Sequence, residues 1–118
     1  MTHILASEQL TPEETHRFTI VDKDEEQRSA VLVSVDDGVR GWINRCTHWK
    51  APLDHGDGAK FRDGNLICQS HGARFDPGSG DCMGGPCDGE GLERVRVACD
   101  DGSVVLTDER YELAKSDV

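Results

Sequence analysis

The sequence predicts an all-β domain, an antiparallel β-sandwich base that carries a loop-rich subdomain between about residues 45 and 90. Three observations carry that prediction. Val, Ile, Thr and Phe gather in short runs on either side of the middle of the chain, the residue types that suit a pleated, half-buried surface. Most of the thirteen Gly and four Pro fall between residues 52 and 91, where they favour turns over regular structure. Helix signals are confined to a single start. At 118 residues the chain fits one domain, 1–118, with no internal repeat or linker.

Taken in order, His3 to Ala6 reads as a short edge strand. Thr11-Pro12-Glu13-Glu14 sets a cap residue, a first-turn proline and two acids in succession, which marks a helix of one turn. Arg17 to Val21 is a strand and Asp22 to Gln27 a charged turn. Ala30 to Val35 is the strongest strand signal; Asp36-Asp37-Gly38 turns, and Val39 to Asn44 returns as the second arm of a hairpin. That hairpin delivers Cys46 at its end. From Trp49 to Leu66 a loop with Pro52, Gly56, Gly58 and Gly64 turns back on itself. Leu66-Ile67 and Arg74 to Asp76 are two short strands. Between Pro77 and Gly91 six Gly, two Pro and two Cys describe a covering loop. Leu92 to Cys99 alternates, Asp100-Asp101-Gly102 turns, and Val104 to Thr107 closes the hairpin. The tail from Glu109 carries no assignment.

A formal net charge of −10 argues against nucleic acid, which is bound through Lys and Arg that displace counterions. A solvated acidic surface is the plain reading, and it also steers the chain toward a basic partner. No apolar run reaches the roughly eighteen residues of a membrane helix, and no basic segment precedes an apolar one as in a secretory signal. An odd count of five cysteines disfavours a secreted disulfide framework, so a reducing cytoplasm is expected.

The chemistry concentrates in two short boxes, Cys46-Thr47-His48 and Cys68-Gln69-Ser70-His71, separated by nineteen residues. Thiolate sulfur and imidazole nitrogen suit zinc or iron in sulfide clusters. Within each box the residues sit too close to share a helix face, so two loops meeting at their tips are the natural carrier. A structural zinc finger pairs Cys with Cys and His with His, whereas each box here mixes one of each.

Cys46-x-His48 joined to Cys68-x2-His71 resembles the ligand set of Rieske iron–sulfur proteins, in which one iron takes both thiolates and the other both imidazoles. Gly72, Phe75 and Asp76 match the family's continuation of the second box, and Gly80 and Gly85-Pro86 match the glycine and the proline-bearing loop that close over the cluster. Residues 30–45 and 92–107 fit the flanking hairpins. The nineteen-residue link is slightly longer than is usual for ferredoxin-type members, which widens the first loop.

The resemblance implies a Rieske-like fold and a [2Fe-2S] cluster held by Cys46, His48, Cys68 and His71. It also implies tuning. Where high-potential members place Ser and Tyr hydroxyls near the cluster, this chain has Ala73 and Phe75, and where they join the ligand loops by a disulfide it has Ala51 and Ser70. Fewer hydrogen bonds to sulfur disfavour the reduced state, so the potential belongs near the low end of a range of roughly −150 to +300 mV. The implied function is a soluble, monomeric one-electron carrier between a flavoprotein reductase and a terminal oxygenase or another redox enzyme. A separate catalyst is expected, because such oxygenases also need a mononuclear iron site. A small subunit like that of assimilatory nitrite reductase, a redox-sensing module and a zinc-stabilised binding module are the alternatives.

Other residues stay open at this level. Cys82 and Cys87 form either a local disulfide, a redox-sensitive pair or two small residues near a packed cluster. Cys99 alternates with Val97 and is read as an inert core residue; His3, His16 and His55 are read as surface residues. Trp49 packs on the first loop, and Arg74 pairs with a local Asp or faces a partner.

Overall fold

The computed structural model describes residues 2–6, 15–35, 38–45, 60–62, 64–68, 72–84 and 91–114. Among them every regular element is a β-strand, and all strand pairs are antiparallel. In chain order they are β1 (Thr2–Ala6), β2 (Thr15–Val21), β3 (Gln27–Val35), β4 (Gly38–Ile43), β5 (Lys60–Arg62), β6 (Asn65–Ile67), β7 (Arg74–Phe75), β8 (Cys82–Gly84), β9 (Arg94–Val95), β10 (Val97–Asp100), β11 (Ser103–Leu106) and β12 (Glu112–Leu113). They build three sheets of order β1-β11-β10, β12-β2-β3-β4-β9 and β5-β6-β7-β8.

The five-stranded sheet is the middle layer, and β3 explains why. Strand side chains alternate between faces. Ala30 and Leu32 join a core with Phe18, Ile20, Ile43, Val95, Val104 and Leu106, whereas Val31 and Val33 join a second core with Trp42, Leu66, Cys68, Ala73, Phe75 and Leu92. All four residues from Ala30 to Val33 are fully buried. A strand covered on both faces reads as an unbroken apolar run, which is what Ala-Val-Leu-Val is. Each such side chain contributes about 1.5–3 kcal/mol of burial for the larger residues. One face thus packs against the three-stranded sheet and the other against the four-stranded sheet that leads into Cys68.

Backbone approach and turn chemistry complete the frame. Gly41 on β4 pairs with Val95 on β9, and a Cβ there would stand 2.6 Å from the Val95 carbonyl oxygen, so only glycine admits that contact. The charged turn after β2 is organised by Asp22, whose Oδ1 accepts the backbone N–H groups of Asp24 (2.9 Å) and Glu26 (3.1 Å). Those bonds, the one from Glu26 first, hold its carboxyl below the usual carboxylate range. Asp101 and Gly102 both take positive φ between the paired Asp100 and Ser103, the backbone of a two-residue hairpin turn.

The structure differs from the sequence expectation in four places. Lys60–Arg62 and Cys82–Gly84 are strands inside segments read as loop, and Glu112–Leu113 is a strand in the unassigned tail. These are two- or three-residue pairings, too short to show a period. Cys99 is exposed, not buried, because residues 99–102 all face solvent beside the Asp101-Gly102 turn. The one-turn helix expected at Thr11 to Glu14 lies outside the described residues.

Asp108 ties the end of β11 to β9 and β10. Its buried carboxylate accepts the Arg110 side chain (Nε 2.9 Å, Nη2 2.7 Å) and the backbone N–H groups of Arg96 and Arg110 (both 3.1 Å). The Arg110 guanidinium, then these amides, hold the carboxyl far below its ordinary value of 3.8. A depressed carboxylate pKa contributes stability above the ordinary value and loses it as pH falls through the depressed one. Asp108→Asn is therefore expected to lower unfolding free energy by about 1–3 kcal/mol at neutral pH. In urea titrations across pH, the gap to wild type should shrink below about pH 4; a gap independent of pH would contradict this origin.

Candidate metal centre

Two chain segments lead toward the site. The first is β4, whose exit is pinned just before Cys46. Ile43 N–H donates to the Glu93 carbonyl (2.8 Å), Asn44 N–H to the Ser29 carbonyl (2.9 Å), and Asn44 Nδ2 to Ser29 Oγ (3.1 Å). Asn44 is buried, so its amide has no competing water and its bonds fix the direction in which the chain leaves the sheet. Cys46 and His48 themselves lie outside the described residues.

The second segment is the β6–β7 hairpin. Leu66 pairs with Phe75 and Ile67 with Arg74, and Cys68 opens the connection. Two backbone bonds close it: Cys68 N–H donates to the Ala73 carbonyl and Gly72 N–H to the Cys68 carbonyl, each at 2.8 Å. Gly72 sits at φ +76°, a left-handed conformation that glycine adopts without a Cβ clash. The turn therefore holds Cys68 buried and Gly72 exposed. Cys68 is a free thiol walled by Leu66, Ala73 and Phe75, all fully buried. His71 lies outside the described residues, as do Trp49, Ala51, His55, Ser70, Gly85, Pro86 and Cys87.

Of the four expected ligands, then, the structure places Cys68. Among the described residues no group of three or more His, Cys, Asp or Glu converges to hold a metal ion. His3 is exposed, as expected, and His16 is half-buried on β2. Cys82, opposite Phe75 in the β7–β8 ladder, is disulfide-bonded. Cys68 and Cys99 are free thiols. Between Arg74↔Gly84 and Phe75↔Cys82 the register slips by one, which leaves Met83 as a bulge with 54% of its surface exposed. The Arg74 guanidinium lies against Gly84, where a Cβ would meet Nη2 at 2.7 Å.

Sequence reasoning passed over Trp42 and Asn44. Trp42 sits in the alternation of an ordinary strand; its signal is an indole N–H at a core position, which needs an acceptor. It finds one in the Pro77 carbonyl, at 2.9 Å.

Layered antiparallel sheets with one buried free thiol at the base of a closed hairpin turn define a small all-β domain. The chain belongs to the Rieske [2Fe-2S] domain family, whose profile matches residues 1–108. The family carries a [2Fe-2S] cluster, and a free thiol in an apolar wall, on a turn fixed by two backbone bonds, suits one thiolate ligand of such a cluster. No curated protein sequence matches the chain. Among solved structures, the ferredoxin of carbazole 1,9a-dioxygenase from Nocardioides aromaticivorans IC177 is 22% identical with TM-score 0.70, over 92% of this chain and 97% of that one. A complex of reduced oxygenase and oxidized ferredoxin in carbazole 1,9a-dioxygenase matches with TM-score 0.70 at 22% identity, over 93% of this chain and 95% of that one. The Sphingomonas yanoikuyae B1 ferredoxin is 23% identical with TM-score 0.68, over 88% of this chain and 94% of that one. Likeness at these identities shows the shared fold.

Two expectations follow. Peptide mapping of alkylated protein should join Cys82 to Cys87; a Cys46–Cys82 link would remove Cys46 from the ligand set. Phe75→Tyr should raise the midpoint potential in a redox titration by offering a hydroxyl to the Cys68 sulfur, and an unchanged value would place that hydroxyl out of reach.

Proposed function

We propose that the chain is a soluble one-electron carrier of the Rieske ferredoxin type, taking an electron from a flavoprotein reductase and passing it to a terminal oxygenase. The observation that supports this best is the end-to-end likeness to a dioxygenase ferredoxin, over 92% of this chain and 97% of that one. In this reading Cys46 and Cys68 bind one iron, and His48 and His71 the other. The cluster supplies a site that gains and loses one electron. The chain supplies its setting. The backbone bonds of the Cys68–Ala73 turn fix the thiolate, so the ligand geometry needs little rearrangement between oxidation states. Ala73 and Phe75 exclude water from Cys68 and give its sulfur no hydroxyl donor, which favours a potential low in the Rieske range. Exposed Gly72, next to His71 in the chain, adds no side chain to obstruct a partner's approach. The acidic surface steers a basic partner face toward the chain. The chain works as a monomer in the cytoplasm.

Visible absorption and electron paramagnetic resonance of the reduced protein test the cluster, and stopped-flow mixing with a flavoprotein reductase and then an oxygenase tests the route. The expected result is a Rieske spectrum and electron exchange fast enough to sustain turnover. A colourless protein with one zinc per chain would overturn the cluster assignment. An intact cluster that exchanges too slowly for any oxygenase would favour redox sensing.

A further inference from the structure

We infer that the cleft between β9 and the segment that follows β11 is a docking site for an acidic segment of a partner protein, bound extended with two carboxylates one residue apart. The cleft encloses about 590 Å³, and the side chains of Arg94, Arg96 and Arg110 all line it. Arg94 and Arg96 are exposed and flank the fully buried Val95, so the alternation of an extended chain sends both to the same side. Their Cα atoms are then roughly 7 Å apart, the separation of alternate residues in any other extended strand. None of the lining residues belongs to the four-stranded sheet that leads into Cys68, so the site is separate from the proposed electron route.

The third guanidinium is held in place. Arg110 donates from Nε and Nη2 to the buried Asp108 carboxylate, at 2.9 and 2.7 Å, and from Nη2 to the Arg94 carbonyl at 2.9 Å. Its Cζ lies 5.1 Å from the centroid of the Tyr111 ring. These contacts leave Nη1 for a ligand, on a side chain still 55% exposed. Below it the floor is fixed by Thr107 N–H, which donates to the Arg96 carbonyl at 3.1 Å. Asp108 is committed to Arg110. Glu93 and Glu109 also line the cleft, yet among the described residues neither Arg94 nor Arg96 forms an ion pair or a side-chain hydrogen bond with them. Two forked donors thus stand available beside a third whose position is set.

The same residues select the occupant. Guanidinium forks match carboxylate geometry, and an extended segment with acids at alternate positions presents them at the spacing of Arg94 and Arg96. Glu93 and Glu109 repel a longer run of negative charge, which disfavours nucleic acid and other polyanions. Arg110 occupies the Arg94 carbonyl on the border strand β9, so the segment is gripped by side chains and adds no strand to the sheet.

Isothermal titration calorimetry on the full, cluster-bearing protein tests the site. The probe is a capped peptide with two Asp separated by one Thr; its isomer has the two Asp adjacent. Physiological ionic strength is the right condition, because it screens the net charge of −10 beyond about 8 Å and spares contacts within the cleft. One-to-one binding is expected, about three-fold tighter for the alternating peptide than for its isomer. Arg94→Gln and Arg96→Gln are each expected to weaken it about three-fold, with the thermal unfolding midpoint unchanged, and Glu109→Gln to strengthen it. Absence of binding would overturn the inference, as would affinity indifferent to both Arg variants. Equal affinity for the isomer or for inorganic phosphate would overturn it too, since the cleft would then take any anion. Tighter binding of single-stranded RNA than of the peptide would assign the cleft to a different partner and refute the one proposed.

Discussion

The structure depends on one strand being buried from both sides. β3 sends alternate residues into two cores, and neither core closes without it. The second core is built from the base sheet and from the hairpin that holds Cys68, with Val31, Val33 and Trp42 on one side and Leu66, Ala73 and Phe75 on the other. The part that carries Cys68 is therefore no module of its own. Excised from the middle layer, its four short strands would lose the cover of Val31, Val33 and Trp42, and small sheets without a covering layer are marginal in water.

That arrangement separates two tasks along one chain. The face of the middle sheet toward β10 and β11 packs conventional strand residues and supplies stability. The opposite face packs a thiol, an alanine and two aromatic rings, and it supplies position. Buried polar groups follow the same division. Asp108 locks the base through Arg110 and two backbone amides, whereas Asn44 and Trp42 direct the chain at the boundary with the ligand hairpin.

Much of this was legible in residues alone. The run Ala30 to Val33, the turns at Asp22 and Asp101-Gly102, and both base hairpins are encoded by local pattern, because apolar alternation and turn chemistry act over a few residues. The mixed Cys/His boxes pointed to the family for a different reason: ligand chemistry restricts residue type and spacing whatever the surrounding fold. Strands of three residues such as Lys60–Arg62 and Cys82–Gly84 exist through pairing with a neighbouring strand, and neither gave a local sign. Cys99 misled because alternation predicts which face a residue occupies and not whether another layer covers it. The acceptor of the Trp42 indole lies 35 positions away along the chain, which no short window contains.

The bulge at Met83 bears on how this chain meets other molecules. Among the described residues β8 is the outer strand of the sheet that leads into Cys68, three residues long, with its ladder interrupted where Met83 swings out. A short, kinked border offers few aligned amide and carbonyl groups for a foreign strand to zip onto. Encounters there are confined to side-chain contacts, which form and dissolve faster than a shared sheet. An edge that resists being extended keeps the molecule from being drawn into a lasting sheet with a neighbour.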